Sequence, residues 1–404
     1  MKILFLSQRV PYPPNRGDKI TSWRLIERMR RTHEVHCVAF AHDEGDERAA
    51  EELRAMGIPI STFAYRERSA KLRSLPLLAS SKPLTLGVYG SGALQAEVDR
   101  LIPGCDLAYA FSSSMGAFLE PHGSIPRVMH FGELDSDKWR QYSERVGWPM
   151  SWVYRREWRT LFRFEQRVAR SFSQNVFCTP LEQHIFQDRI PGAPSMVLRN
   201  GVDLEYFSPR PELAEPGHLV FTGVMNYYPN VDGCVHFVRE VLPRVREEFP
   251  DARFTIVGAH PTAEVLRLAE TPGVEVTGFV DDVRDWAWRA AIAVAPLRIA
   301  RGIQNKVLEA MAMGLPVVGT TSATQGVGGV PESHYLVRDD AAEQAEAIRS
   351  LLREPELGAS LGRRAREFVE REYDWEAVFE PLDALIASLA PSPSPPPFEP
   401  APSR

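Results

Sequence analysis

The sequence predicts an α/β protein built from two doubly wound parallel-sheet domains, and three observations carry that expectation. Short apolar runs alternate with longer amphipathic segments through the first half of the chain. A second series of the same kind follows a proline-rich connection near Tyr206. The chain has 404 residues, more than one ordinary hydrophobic core accommodates.

Taken in order, KILFLSQ, EVHCVAF, LAYAF, RVMHF and NVFCT read as buried strands of a first sheet, because each is short, apolar and bounded by turn residues. YFSPRPELAEPGH has turn chemistry and is the expected interdomain linker. HLVFTGV, RFTIVGA, VEVTGF, IAVAPL and PVVGT then form a second series of strands with helical segments between them. YDWEAVFEPLDALIASL reads as a terminal amphipathic helix, and residues 391–404 lack core-forming side chains and are expected to be disordered. The expected domains are residues 1–205, joined by a crossover helix over 373–390, and residues 206–372. In open parallel sheets ligands bind beyond the carboxyl ends of the strands, so two facing domains predict a site in the cleft between them.

Composition narrows the function. Hydrophobic content of 44% and charged content of 25% are those of a soluble globular protein. A formal charge of -6 and a pI near 6.0 argue against general nucleic-acid binding. Cys37, Cys105, Cys178 and Cys234 are far apart with no C-x-x-C pair, which fits a reducing compartment and predicts no metal site. ILFL near the start is too short for a signal-peptide core, and no run approaches the roughly 20 apolar residues of a spanning helix. A cytoplasmic protein is expected.

Several glycines follow strands. Gly17, after VPYPPNR, precedes a helix whose N-terminus would favour an anion, although a tight turn alone would also place a glycine there. This is neither a G-x-G-x-x-G loop nor a P-loop. Gly223, Gly258 and Gly278 each end a strand of the second series, which fits a crowded ligand face or, taken singly, ordinary sheet packing. In PLRIARGIQNKVLEAMAMG a strand end, a loop, a helix and a glycine stop follow one another. Gln304 or Asn305 can cap that helix, Gly314 can end it, and Gly302 keeps the loop open. Glu309 is either a solvated glutamate on an amphipathic helix or a carboxylate accepting two hydrogen bonds from a ribose diol. Lys306 and the helix N-terminus would then face a pyrophosphate.

These pieces resemble the GT-B glycosyltransferases of the large retaining family 4, and within it those associated with exosortase (PEP-CTERM) exopolysaccharide systems. The similarity runs through VPYPPNRGDK, LDSDKWRQYSER, LRNGVDLEYF, FTGVMNYYPNVDG, FTIVGAHP, GFVDDVRDW and RGIQNKVLEAMAMGLPVV, nearly the whole chain in family order, and the last is the most specific. The resemblance implies a nucleotide-sugar donor held mainly by the second of two Rossmann-like domains and an acceptor held mainly by the first. It also implies net retention, no bound metal and no other cofactor. By motif position, Glu309 matches the second glutamate of the family's paired-glutamate motif, which contacts the donor ribose. Val280 matches a loop residue whose backbone meets the base, Gly17 lies in the loop near the donor phosphates, and His130 matches a histidine near the donor sugar.

Two departures stand out. Arg301 occupies the position of the family's first glutamate, and the loop VMNYYPNVD lacks the arginine and lysine often found after the first strand of the second domain. Arg298, Arg301 and Lys306 supply cations in the other loop, so the expectation is that positive charge has moved there, with Lys306 and Arg301 binding the diphosphate. Residues 139–170 carry many arginines and four tryptophans, and residues 66–84 repeat that character. Such a mixture suits an anionic membrane surface, the alternative being a helix with aromatics in the core and arginines in solvent. The expected function is hexosyl transfer from a nucleotide diphosphate sugar to a polyprenyl-linked or growing glycan in exopolysaccharide synthesis. The protein would then be peripheral at the inner face of the membrane. A GT-B sugar-nucleotide epimerase and a non-catalytic nucleotide-sugar-binding protein are the alternatives.

Overall fold

The apolar runs become strands of two parallel sheets, all of them inner strands except VEVTGF, which lies at an edge. The structure, a computed structural model, describes residues 1–300 and 302–390. In the first sheet are β1 (Lys2–Ser7), β2 (Glu34–Ala41), β3 (Ile60–Ala64), β4 (Leu107–Phe111), β5 (Arg127–Gly132), β6 (Gln174–Phe177) and β7 (Ser195–Val197), in the order β3-β2-β1-β4-β5-β6-β7. The second holds β8 (His218–Thr222), β9 (Arg253–Val257), β10 (Val274–Gly278), β11 (Ile292–Ala295), β12 (Val317–Gly319) and β13 (Leu336–Val337), in the order β10-β9-β8-β11-β12-β13. β1 pairs in parallel with both β2 and β4, as β8 does with β9 and β11. Each sheet therefore reverses direction beside its first strand, which is where doubly wound sheets bind ligands. This is the predicted fold class.

The strands that the sequence did not announce are β3, β7 and β13, each at the edge of a sheet. Their side chains are mostly half-buried, so they lack the continuous apolar run of a strand covered on both faces.

The chain divides into two compact units. One holds Met1–Val176, Phe186–Met196 and residues 381–390, and the other holds Phe177–Ile185 and Val197–Glu380. In the second unit, Val202 N–H donates to the Tyr373 carbonyl at 2.9 Å. A Cβ on Gly201 would lie 2.4 Å from the Trp375 ring, so the indole lies directly on that backbone. The proline-rich connection is also pinned: Trp288 Nε1 donates to the Ser208 carbonyl at 2.8 Å, and the Arg284 guanidinium lies 3.6 Å from the Tyr206 ring centre. Residues 391–404, the expected disordered tail, lie outside the described residues.

In the first unit, helix Met150–Ser171 turns Arg156 and two glutamates, Glu157 and Glu165, inward. Arg156 donates to the carbonyls of Leu78 at 3.0 Å, Ser80 at 2.5 Å and Lys82 at 2.9 Å. The Glu157 carboxylate accepts from the N–H groups of Leu84 and Thr85 at 2.7 and 2.9 Å, and from the Thr85 hydroxyl at 2.8 Å. It thereby satisfies the first turn of helix Leu84–Val88. Between β4 and the short helix Ser113–Leu119, Ser112 is held at φ 83°. That backbone region is costly for any residue with a Cβ. Ser112→Gly is expected to raise stability by about 1 kcal/mol, read as a higher denaturation midpoint at unchanged m-value.

Candidate functional site

The strongest chemical constellation lies in the second unit, where β8 and β11 end side by side. After β11 the chain loops through Gly302, at φ +65°, into helix Asn305–Ala312. Gln304 stands at the N-cap position, where its carbonyl accepts from the N–H groups of Val307 and Leu308 at 2.9 and 3.3 Å while its side chain makes no capping hydrogen bond. The other end is closed by Gly314, at φ +71°, whose N–H donates to the Met311 carbonyl at 3.0 Å while Leu315 N–H reaches Ala310 at 3.0 Å.

Lys306 and Glu309, one turn apart on this helix, are half-buried and share one small cavity of about 30 Å³ with Thr222 and Phe207. A space of that size holds a water molecule or two and no part of a nucleotide. Lys306 Nζ donates to Asn230 Oδ1 at 2.6 Å and lies 4.6 Å from the centre of the Phe221 ring. Asn230 is in turn fixed by its own amide, which donates to the Val224 carbonyl at 2.9 Å. Burial pushes the Lys306 ammonium down to about 8 and the Glu309 carboxyl up to about 7, each opposed by the charge of the other. Among the described residues, nothing neutralises Lys306 through an ion pair, and nothing donates a hydrogen bond to Glu309. A cation and an acceptor are thus held one turn apart, the arrangement a nucleotide's phosphate and diol would require.

The charge-relocation idea needs correction at Arg298. Its guanidinium pairs with Asp232 of helix Tyr228–His236, with Nε 2.9 Å from the carboxylate. Asp232 thereby neutralises the charge that Arg298 was expected to bring. Arg301 lies outside the described residues. Asn230 and Asp232, both in the YYPNVDG stretch, escaped the sequence reading. The only available signal was the loss of cations from that loop, which left two short polar side chains facing the basic loop.

The strand-end glycines have separate reasons. A Cβ on Gly223 would lie 2.7 Å from the Asn230 amide and 3.1 Å from Lys306 Nζ, so Gly223 makes room for the lysine. Gly258, at φ +148°, brings its backbone against Gly223, where a Cβ would lie 1.7 Å from the carbonyl oxygen, and this is sheet packing. Val280 is half-buried just after β10, next to Phe279, which is 75% exposed.

The structure brings Gly223, Val280, Gly302, Lys306 and Glu309 into the second unit, while Gly17 and His130 belong to the first. Gly17 is exposed at the start of helix Gly17–Arg30, where Arg16 makes no capping hydrogen bond. His130 is a correction to the sequence reading. It is 2% exposed, its Nδ1 is 2.8 Å from the Tyr109 hydroxyl, and its ring packs against Phe111 at 4.9 Å. Burial pushes its imidazole down to about 3, so it is neutral at physiological pH and acts as a core residue of β5. His130→Phe is expected to cost about 1 kcal/mol by leaving the Tyr109 hydroxyl unpaired, with nucleotide affinity unchanged by calorimetry.

Two doubly wound parallel-sheet units in one chain define the GT-B fold class. Residues 216–354 match the family model described as glycosyl transferases group 1. WcaL of Escherichia coli, named for colanic acid biosynthesis as a glycosyltransferase, is 30% identical over 48% of this chain and 51% of its own. The glycogen synthase of Mycobacterium tuberculosis is 26% identical over 59% of each chain. The chain thus spans between half and three-fifths of the length of these curated relatives. Among solved structures, the sucrose-phosphate synthase of Thermosynechococcus elongatus superposes with a TM-score of 0.71 at 17% identity, covering 96% of this chain and 98% of its own. HepE of Anabaena, solved with UDP-glucose, gives 0.68 at 15% identity, covering 96% and 100%. At such identities the superpositions establish the fold.

Proposed function

We propose that this chain is a glycosyltransferase that moves a hexose, with retention and without a bound metal, from a nucleotide diphosphate sugar to a lipid-linked or growing glycan. Its product would enter exopolysaccharide synthesis. The observation that carries this reading is Lys306, a half-buried cation held by a neutral amide and an aromatic face, one turn from a carboxylate that accepts no hydrogen bond from a described residue.

In this role Glu309 accepts both hydroxyls of the donor ribose, and Lys306 faces the diphosphate together with the first-turn N–H groups of helix Asn305–Ala312. As the sugar leaves, negative charge grows on the nucleotide, and a preplaced ammonium stabilises it. Arg301 is assigned to the same diphosphate on its sequence position alone. The names of WcaL and of the HepE complex support an exopolysaccharide product and a nucleotide-sugar donor. No described helix is long and apolar enough to cross a membrane, and the working place we assign is the cytoplasm, at the membrane's inner face.

The test is thermal-shift screening against UDP, GDP, ADP and dTDP, followed by incubation with the matching nucleotide sugars and an acceptor. A melting shift with one nucleotide, together with nucleotide release and a new glycoside, is expected. Interconversion of donor sugars without release, or binding without turnover, would overturn the reading.

A further inference from the structure

We propose that residues 66–84 and 146–163 of the first unit together form a docking surface for an anionic lipid bilayer. This rests on the reading of the acceptor as lipid-linked.

The exposed large apolar side chains described in the first unit, all but Met56, lie in these two stretches. Trp148 is 85% exposed, Leu72 67% and Trp152 54%, and Leu75, Val146 and Met150 are exposed as well. The stretches are far apart in sequence but clasped in space. Arg156 binds the carbonyls of Leu78, Ser80 and Lys82, and Glu157 binds the N–H groups of Leu84 and Thr85. An arginine and a glutamate that look like surface charges in the sequence thus set two apolar patches beside each other.

The unpaired charge on this surface is of one sign, for its exposed carboxylate, Glu67, is paired with Lys71 at 2.5 Å. Trp152, Arg155, Arg159 and Arg163 recur every three or four residues along helix Met150–Ser171, which puts them on one face. The three arginines are exposed, and none has an ion-pair partner among the described residues. Arg66, Arg68, Arg73 and Lys82 of the other stretch are likewise exposed and unpaired among them. Further along the same helix the pattern ends, for Arg167 pairs with Glu120 at 3.0 Å.

An acidic protein partner would satisfy the arginines, yet it gives no reason for two tryptophans standing in water beside them. A bilayer accounts for both, since indole rings settle at the headgroup level while guanidinium groups meet anionic lipid. The chain as a whole carries a formal charge of -6 and would be repelled by such a surface. A local cationic face would overcome that repulsion and fix which side approaches.

The experiment is co-sedimentation with vesicles of phosphatidylcholine alone and of phosphatidylcholine mixed with phosphatidylglycerol, at low and high salt. The variants are Arg155→Gln/Arg159→Gln/Arg163→Gln and Trp148→Ser/Trp152→Ser. Wild type is expected to bind the anionic vesicles, less so as salt rises. The arginine variant should bind them at least about tenfold more weakly. The tryptophan variant should bind more weakly with its salt dependence retained, and wild-type tryptophan emission should shift to the blue on binding. Calorimetry with the nucleotide on the same proteins checks that they are folded and keeps the two readings apart. Wild type that ignores anionic vesicles, or an arginine variant that sediments with them equally, overturns the docking surface while leaving nucleotide binding untouched. Binding to soluble polyglutamate but not to vesicles would assign the face to an acidic protein and overturn the lipid assignment.

Discussion

Lys306→Ala is expected to lower kcat/KM by about a hundredfold or more, while affinity for the nucleoside lacking phosphates hardly changes. Asn230 Oδ1, 2.6 Å away, and the Phe221 ring hold the ammonium in place before any ligand arrives. Its charge therefore needs no reorganisation when the leaving nucleotide gains negative charge, which is where preorganised electrostatics contribute most. The substitution also leaves Asn230 short of one donor, at a cost of about 1 kcal/mol, too little to unfold the domain. Lys306→Arg should not restore activity, because a planar guanidinium fork does not reproduce the single 2.6 Å contact by which Asn230 Oδ1 positions the ammonium. Steady-state kinetics with the screened donor, alongside melting temperatures, decides it. A fully active Lys306→Ala enzyme would return the lysine to a structural role.

Glu309→Ala is expected to weaken nucleotide binding by about 2 kcal/mol, or about thirtyfold, the scale of charge-assisted hydrogen bonds. A pH signature accompanies it. In the free protein burial holds the Glu309 carboxyl near 7, well above an ordinary glutamate. A ribose diol donates to the ionised form, so binding lowers that value and releases a proton. Affinity should therefore rise with pH through 7 as Glu309 ionises and fall again above about 8, where the free Lys306 ammonium loses the proton that the diphosphate contact needs. In Glu309→Gln the rise should be absent, which separates the carboxyl from the titration of the nucleotide's own phosphates. Calorimetry in buffers of differing ionisation enthalpy measures the proton directly. Unchanged affinity in the alanine variant would make Glu309 a solvated helix residue.

How much of this was legible in the sequence depended on burial. Strands covered on both faces, such as β1 and β4, have runs of apolar residues with no alternative reading, and all of them were recognisable. The edge strands β3, β7 and β13 are half-exposed and short, and nothing in their composition separated them from loops. The lysine and glutamate of helix Asn305–Ala312 were legible because their spacing puts both on one face. Asn230 and Asp232 were not, since a short polar residue in a helix shows its partner only in three dimensions. His130 was misread for the converse reason. A histidine inside RVMHF, a run buried throughout up to Phe131, satisfies itself on a neighbouring tyrosine, and the run's continuity was the available warning. Arg156 and Glu157 were equally opaque, because sequence alone does not say which arginine of a basic helix turns inward.

The way the chain is shared between the units bears on how the protein can be taken apart. Its path passes from the first unit to the second at Phe177, back at Phe186, over again at Val197, and returns at Pro381 within helix Trp375–Ser388. No single cut therefore releases either unit intact. A fragment beginning at residue 197 would lack Phe177–Ile185, and one ending at residue 176 would lack both Phe186–Met196 and the stretch after Pro381. Limited proteolysis at one exposed loop should leave a nicked but associated molecule. A separately expressed second unit would need its short first piece grafted back by a linker before it could fold as it does here.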